Sequence, residues 1–314
     1  MLHTFYLERK KMKSRILLAV LCFVGLFGVS FAQEAQINSP VKGLKHIVVI
    51  GIDGYGSAYV NWDEVPTLKK LKENGAWTLK TRCVLPSVSA INWATMFMGA
   101  GSELHGYRTW GSEKPDLPSR VLTKQGKFPC YFSVAHDQIP NVKTGSVYTW
   151  KTIAALHDSE RCTETLFIDH NYDASTDKMI DFLKKGMNLS FIYYSEPDHV
   201  GHGVGWGTKE YHDVVAQLDK YISRIIQYLE DNDGLKDTVV FFVSDHGGID
   251  KGHGHDTMTD METPFIIYGC GVKKGEIQDV YVNYDLAPTI AWLLGCEAPQ
   301  VWRGKPVKSA FDAL

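Results

Sequence analysis

Short apolar runs alternate along the chain with longer stretches in which apolar residues recur every three or four positions. A short apolar run is typical of a buried strand, whereas the longer periodicity is typical of an amphipathic helix. The runs predict six strands, at residues 46–52, 131–135, 166–168, 189–194, 238–243 and 264–268. Strands that alternate with helices predict an α/β fold with a mostly parallel sheet and crossover helices.

The clearest helical pattern covers residues 209–231. Its apolar side chains form one stripe at helical spacing, and the sequence Asn-Asp-Gly at 232–234 then ends it. Further helices are predicted at 65–74, 89–98, 175–185 and 285–294. Residues 107–172 are less regular and contain four prolines, so we expect part of this stretch to form a small cap or insertion near the site.

The first 32 residues have the features of a signal peptide. A basic segment is followed by an uncharged, mostly apolar run over residues 16–31, and Ser30 and Ala32 place small residues at a cleavage site. The alternative is an uncleaved membrane anchor, but the run is short for a membrane span. We therefore predict cleavage before Gln33, no stable membrane anchor, a periplasmic or secreted protein, and one catalytic domain over residues 33–314.

Charge and cysteine content narrow the classes of partner and of fold. Removal of the five basic residues and one acidic residue of positions 1–32 changes the formal net charge from −3 to −7. An acidic domain is a poor match for a nucleic-acid polymer or an anionic membrane surface. Five scattered cysteines remain, with no C-x-x-C pair, so no disulfide framework is expected, and one or two bridges stay open.

Acidic and imidazole side chains follow three of the predicted strands, at 46–52, 189–194 and 238–243, among glycines. In open α/β sheets, ligands bind in the crevice at the carboxyl ends of the strands. Carboxylates combined with imidazoles suit zinc or a similar divalent ion. The residues concerned are Asp53, Asp198, His202, Asp245, His246, His253 and His255.

The same residues lie in motifs that resemble the alkaline phosphatase superfamily, and within it the nucleotide pyrophosphatase/phosphodiesterase branch. The motifs occur in order: Ile-Gly-Ile-Asp-Gly at 50–54, Leu-Pro-Ser-Val-Ser-Ala-Ile-Asn-Trp at 85–93, Glu-Leu-His-Gly at 103–106, Glu-Pro-Asp at 196–198, Ser-Asp-His-Gly-Gly at 244–248, Gly-His-Gly at 252–254 and Asp-Leu-Ala-Pro-Thr at 285–289. The ordered series is far more specific than any single motif. It implies a three-layer α/β/α sandwich around a mostly parallel sheet.

The resemblance also implies two divalent metal ions, with zinc as the expected ion. The ligands that it implies for the first ion are Asp198, His202 and His253. Those that it implies for the second ion are Asp53, Asp245 and His246. His255 remains an alternative to His253, although the Gly-His-Gly context of His253 is closer to the family pattern.

The nucleophile of the branch aligns with Ser89, three residues before Asn92, at the start of a predicted helix. A helix N-terminus favours an alkoxide, because its dipole and its free N–H groups stabilise negative charge. Ser87 is then expected to cap the helix. The reverse assignment, in which Ser87 attacks and Ser89 caps, stays open. Asn92 is expected to contact the substrate.

Two departures from the family pattern concern the substrate. Ala90 stands where the branch often has an aromatic residue, while the aromatic residue five positions before Asp198 is kept as Tyr193, which is expected either to contact substrate or to fill the core. Thr109 or Arg108 is expected to replace an asparagine that holds phosphate oxygens in the branch.

The predicted activity is hydrolysis of a small-molecule phosphoric ester through a covalent phosphoseryl intermediate. A phosphodiesterase or nucleotide pyrophosphatase is favoured. The alternatives are a phosphomonoesterase or phosphonate hydrolase on the same site, and a metal-binding extracellular protein whose catalysis has decayed.

Overall fold

An eight-stranded sheet forms the centre of the computed structural model, which describes residues 34–312. In chain order the strands are β1 His46–Asp53, β2 Ala76–Arg82, β3 Thr144–Tyr148, β4 Glu164–Phe167, β5 Leu189–Pro197, β6 Thr238–Ser244, β7 Glu262–Gly269 and β8 Gly275–Glu276. Their order in the sheet is β4-β3-β5-β1-β6-β7-β2-β8. The first five strands in this order, from β4 to β6, run parallel to one another, and β7 runs antiparallel to both β6 and β2.

Helices cover both faces of the sheet. In chain order they are α1 Pro66–Asn74, α2 Ser89–Met98, α3 Ser102–His105, α4 Tyr131–Gln138, α5 Ile153–Leu156, α6 Tyr172–Lys184, α7 Asp198–Val204, α8 Lys209–Asp231, α9 Met258–Met261 and α10 Leu286–Leu293. Buried residues of α2, α4, α5 and α10 form one apolar layer, and those of α1, α6 and α8 form the other.

The central strand explains why both layers are needed. In β1, Ile47 and Val49 point into the first layer, whereas Val48, Ile50 and Ile52 point into the second. Successive strand side chains alternate between faces, so a strand buried on both sides has a continuous apolar sequence. The predicted three-layer α/β/α fold is therefore confirmed.

The prediction of a strand at 131–135 is wrong, because these residues lie in helix α4. A five-residue apolar run cannot distinguish a buried strand from a buried helix by its periodicity. The start of α4 is stabilised by Ser133, whose hydroxyl donates to the Cys130 carbonyl and accepts from the Cys130 amide, both at 2.9 Å. This local capping contact favours the helix.

Strands β2 and β3 were not among the predicted strands. Both contain small or polar residues that interrupt an apolar run, as in Thr-Gly-Ser-Val-Tyr of β3. Since β3 and β4 belong to the sheet, only part of the stretch 107–172 can form a cap. Residues 107–130, all of them described, contain no helix or strand and form an irregular loop.

Three further expectations concern the chain outside the sheet. The predicted signal peptide lies outside the described residues. Within residues 34–312, no helix combines the length and the apolar character that a membrane span requires. The five cysteines from Cys83 onwards are free thiols in the structure.

A buried carboxylate connects two helices of the second layer. Asp219 of α8 is 2% exposed, and its two oxygens accept the backbone N–H groups of Thr67 and Leu68, each at 2.9 Å. These amides belong to the first turn of α1, where N–H groups have no partner within the helix. A carboxylate at that position satisfies them and also interacts favourably with the helix dipole.

Substitution of Asp219 by Ala should therefore destabilise the fold. We expect the free energy of unfolding to fall by about 1–3 kcal/mol, because two buried amides lose their acceptor. Urea denaturation followed by circular dichroism measures this change. Asp213→Ala is the control, because Asp213 lies exposed on the same helix, and its expected change is below about 0.5 kcal/mol. Equal changes in the two variants would contradict the capping role.

Candidate metal centre and active site

Three neighbouring strands bring the predicted ligands to one edge of the sheet. Strand β1 lies between β5 and β6, and all three run parallel, so their carboxyl ends meet. Asp53 is the last residue of β1, Asp198 begins α7 directly after β5, and Asp245 and His246 follow β6. The structure therefore brings the residues that the motifs contain to one edge of the sheet.

Gly54 allows Asp198 to approach the end of β1. Its φ of +72° lies in the left-handed region, and a Cβ atom there would lie only 2.8 Å from the Cβ of Asp198. Glycine is thus required for both the turn and the close contact.

The first group of ligands combines Asp198, His202 and His253. Asp198 and His202 are four residues apart in α7 and so share a face of the helix. The Nε2 atoms of His202 and His253 lie 3.6 Å and 3.5 Å from Oδ1 of Asp198 and 3.1 Å from each other. These three residues have the spacing of ligands around one cation.

The second group lies beside the first and shares Asp198 with it. Asp53, Asp198 and His246 form a set whose ligand atoms lie within 4.8 Å of one another. Asp245 lies next to this set, with its Oδ2 atom 3.2 Å from Nε2 of His246. The other oxygen of Asp245 accepts the Gly54 N–H at 3.0 Å, so only Oδ2 faces the cluster.

Backbone carbonyls orient the three imidazoles. The Nδ1 atoms of His246, His253 and His202 lie 2.7, 2.8 and 3.0 Å from carbonyl oxygens, which belong to Gly247, Ser87 and Lys251 respectively. A carbonyl only accepts, so Nδ1 carries the proton and the Nε2 lone pair faces the cluster. Burial lowers the pKa of His246 to about 4 and that of His253 to about 3, so both rings are neutral at pH 7.

Within residues 34–312, the carboxylates also lack a lysine or arginine partner. Oδ1 of Asp198 and Oδ2 of Asp245 are buried and have no hydrogen-bond partner among the described residues. Burial, followed by the nearby charge of Asp53, raises the pKa of both carboxyls. Buried carboxylates of like charge are unfavourable unless a cation neutralises them. Oxygen and imidazole donors of this kind fit two divalent ions such as zinc.

Ser89 lies against the second group. It is 2% exposed at the first position of α2, and its Oγ lies 3.0 Å from Nε2 of His246 and 3.3 Å from Oδ1 of Asp53. The hydroxyl thus combines two features of an activated nucleophile, a helix N-terminus and a site for a cation beside it.

Ser87 has a different position from the one predicted. The residue before α2 is Val88, and no side chain caps the helix, so the predicted capping role of Ser87 is wrong. Its hydroxyl donates to the His255 carbonyl at 2.7 Å and accepts the Gly254 N–H at 3.1 Å. Ser87 therefore holds the loop that carries His253.

The choice between His253 and His255 depends on the direction of their rings. His253 points its Nε2 atom to Asp198 and His202. The Nδ1 atom of His255 instead lies 2.8 Å from the buried carboxylate of Asp260, and the ring is outside both ligand groups. The geometry favours His253.

The three residues predicted to bind substrate lie in different environments. Asn92 is fully buried, and both of its amide atoms bond the preceding loop, which differs from the predicted substrate contact. Thr109 is exposed, and its backbone N–H donates to Asp116 rather than to the cluster. The hydroxyl of Tyr193 donates to Oδ2 of Asp53 at 2.6 Å.

The motifs did not assign a role to two tryptophans at the site. The indole N–H of Trp93 donates to Oδ2 of Asp53 at 2.9 Å. That of Trp206 donates to the Gly54 carbonyl at 2.8 Å, and its ring packs edge-on against His202 at 5.2 Å. Trp93 ends the motif at 85–93, but neither residue belongs to a residue type that marks metal chemistry in a sequence.

An exposed aromatic pair borders the site. Trp110, in the irregular loop, is 65% exposed and stacks on Trp150, with ring centroids 6.1 Å apart and planes 17° apart. Trp150 in turn packs against Tyr193 at 6.2 Å. A chain of ring contacts thus connects Tyr193, which donates to Asp53, with the exposed ring of Trp110.

The family model for type I phosphodiesterase/nucleotide pyrophosphatase matches residues 47–265. The chain belongs to this family. The match spans every candidate ligand and Ser89, and the family lies within the alkaline phosphatase superfamily, which confirms the resemblance found in the motifs.

Individual relatives support the same assignment at low identity. GPI ethanolamine phosphate transferase 1 of Candida glabrata is 30% identical over 37% of this chain and 13% of its own. Ectonucleotide pyrophosphatase/phosphodiesterase family member 7 of Mus musculus is 23% identical over 67% of this chain and 51% of its own. The chain thus spans about half or less of these relatives.

A solved structure shares the fold. Murine ectonucleotide pyrophosphatase/phosphodiesterase 5, determined as an inactive variant in complex with AMP, superposes with a TM-score of 0.71 at 15% identity. The superposition covers 85% of this chain and all of that one. The family hydrolyses phosphoric esters, and its members use divalent metal ions.

Asp245→Asn tests the electrostatic description of this candidate metal site. We expect the variant to be more stable than wild type without metal by about 0.5–2 kcal/mol, because one of three repelling carboxylates is neutralised. The amide oxygen still accepts the Gly54 N–H. Thermal unfolding with chelator, and again with added Zn²⁺, measures both the gain and the expected loss of stabilisation by zinc. Asp213→Asn is the exposed control. A less stable variant that zinc still stabilises fully would contradict this description.

Proposed function

We propose that this chain is a two-metal phosphodiesterase in which Ser89 attacks phosphorus. The observation that carries the proposal is the position of the Ser89 hydroxyl, 3.0 Å from His246 and 3.3 Å from Asp53, beside two ligand groups that share Asp198. The ligand assignment is the one that the family pattern implies. Asp198, His202 and His253 would hold one ion, and Asp53, Asp245 and His246 the other, with zinc as the expected ion.

The residues of the chain account for the steps of the reaction. Bound metal ions would supply the positive charge that neutralises the phosphate oxygens. Ser89 Oγ gives up its proton to water and forms a bond to phosphorus in line with the leaving oxygen; the bond from phosphorus to that oxygen breaks, and the leaving oxygen takes up a proton from water. The second ester substituent stays on phosphorus in the covalent intermediate. Water then attacks phosphorus, the bond to Oγ breaks, the phosphate monoester leaves, and Oγ regains its proton. The fixed position of Ser89 contributes most, because phosphoryl transfer depends mainly on positioning and charge stabilisation.

Two observations support a diester over a monoester as substrate. The described residues contain two candidate ligand groups at this edge and no third, whereas a third metal carboxylate is a feature of the alkaline-phosphatase mode. The Trp110–Trp150 pair offers an apolar surface that a second ester substituent can contact. Phosphomonoester and phosphonate hydrolysis remain the nearest alternatives on the same ligands.

The substrate is a small molecule in this proposal. A structural neighbour binds AMP, which supports a nucleotide-like diester, but Ala90 leaves no aromatic side chain next to the nucleophile. The basic and apolar N-terminal residues support a periplasmic or secreted location. A decayed binding protein is disfavoured, because Ser89 and the complete ligand set are present.

Ser89→Ala should abolish turnover and leave the metal content unchanged. We expect kcat for bis-p-nitrophenyl phosphate to fall by about a thousandfold or more, since the covalent step is lost. Mass spectrometry after acid quenching should detect a peptide in which Ser89 carries the remaining p-nitrophenyl phosphate group, in wild type only. Ser190→Ala removes a buried hydroxyl from β5 and serves as the control. Label at Ser87, or rapid turnover by Ser89→Ala, would contradict the assignment.

Chelation should stop hydrolysis, and added Zn²⁺ should restore it. Zinc affinity should fall as pH falls, because burial raises the pKa of Asp198 and Asp245 and protons then compete with the ion. Rates on bis-p-nitrophenyl phosphate, p-nitrophenyl phosphate and a phosphonate ester distinguish the candidate activities. Hydrolysis that resists chelation would exclude the metal mechanism, and a higher kcat/KM on the monoester would exclude diester preference.

A further inference from the structure

We infer that Trp93 and Tyr193 form a two-donor clamp on one oxygen of Asp53, which directs the other oxygen to the ion and to Ser89. This inference rests on the proposed two-metal function and adds two positioning residues to it. Both side chains act through Asp53 and not through the substrate.

The hydrogen bonds to Asp53 are divided between its two oxygens. Oδ2 accepts the Trp93 indole N–H at 2.9 Å and the Tyr193 hydroxyl at 2.6 Å. Oδ1 faces Ser89 Oγ at 3.3 Å and Nε2 of His246 at 3.5 Å. A carboxylate oxygen offers about two lone-pair sites, so the two donors occupy Oδ2 fully. Asp53 is thereby left with one oxygen to bind a cation.

Packing fixes the two donors in place. Trp93 and Tyr193 are 0% and 2% exposed, and their rings meet edge to face at 5.1 Å and 83°. Phe191 packs edge-on against Trp93 at 5.8 Å. At Gly51 of β1, a Cβ atom would lie 2.5 Å from the Trp93 ring, so glycine makes room for the indole. The donors cannot rotate away from Oδ2 without disturbing the core.

The clamp connects the nucleophile with a metal ligand. Ser89 and Trp93 are four residues apart in α2 and so lie on the same face of the helix. The helix thus carries the attacking hydroxyl and, one turn later, the group that fixes Asp53. A rigid helix keeps the distance between Ser89 Oγ and Asp53 Oδ1 constant, which is the distance on which attack depends.

The clamp also separates two roles for Tyr193. Its hydroxyl donates to Asp53, and its ring is buried beneath Trp150, so substrate does not reach it. Loss of a positioning group lowers kcat and weakens one ion. Loss of a substrate contact raises KM and leaves both ions unchanged.

Tyr193→Phe tests the clamp, with Tyr194→Phe as its matched control. Tyr194 is the next residue in β5, and its buried hydroxyl pairs with Thr176 at 2.7 Å on the opposite face of the sheet. Calorimetric titration of the metal-free full chain with Zn²⁺ should show one of two sites weakened by about 10- to 100-fold in Tyr193→Phe. Tyr194→Phe should bind both ions as wild type does. In steady-state kinetics, Tyr193→Phe should lower kcat and leave KM within about twofold of wild type.

Two further variants test whether the effect passes through Asp53. Trp93→Phe removes the second donor and should weaken the same zinc site. In an Asp53→Asn background, Tyr193→Phe should cause no additional loss of zinc affinity, because the carboxylate that it positions is absent. If Trp93→Phe does not fold, the tyrosine pair alone decides the question.

The outcomes separate the clamp from the proposed function. Wild-type protein that binds no zinc would overturn the two-metal proposal itself. Wild-type protein that binds two ions, together with unchanged affinity in Tyr193→Phe, would overturn only the clamp. A raised KM with unchanged kcat would also overturn it and would establish Tyr193 as a substrate contact.

Discussion

The repulsion among Asp53, Asp198 and Asp245 is the constraint around which this edge of the protein is built. Asp53 and Asp245 are buried at the ends of adjacent strands, Asp198 is half-buried directly after the third strand, and two of their oxygens have no hydrogen-bond partner among the described residues. Such an arrangement is unfavourable without cations, so it persists only because the sheet and both helical layers hold it. A site of this kind lowers the stability of the metal-free protein, and the same negative charge allows it to bind cations.

The surrounding structure orients the ligands rather than neutralising them. The three imidazoles donate to backbone carbonyls, and Oδ2 of Asp53 is held by two neutral donors. No lysine or arginine is hydrogen-bonded to the three carboxylates among the described residues. A cationic side chain there would compete with the metal ions. Neutral partners fix the geometry and leave the negative charge available.

The differences from the family pattern lie outside the ligand set, where substrate selection is expected. Ala90 replaces an aromatic residue, Arg108 and Thr109 stand where the branch has an asparagine, and the irregular loop at 107–130 presents Trp110 next to Trp150. Family membership thus supports phosphoric ester hydrolysis as the type of reaction and does not identify the substrate. Surface loops can change without disturbing the sheet, which explains why the residues expected to contact substrate vary while the ligand set is kept.

Local sequence by itself determined the features that depend on neighbouring residues. The apolar stripe of α8 and the length of α2 were predicted with the observed bounds, and the motifs at strand ends identified the residues that converge. These predictions succeed because a helix with one buried face carries an apolar residue at every third or fourth position, which can be read from the sequence. Only the tertiary structure decided that residues 131–138 form a helix, that His253 rather than His255 joins the ligands, and that Tyr193 bonds Asp53. The position of His253 and the bond of Tyr193 depend on partners distant in the chain, which no local pattern records. The helix at 131–138 is buried on one side against the core and has a local cap at Ser133, but a short apolar run does not reveal by its periodicity whether it is a helix or a strand.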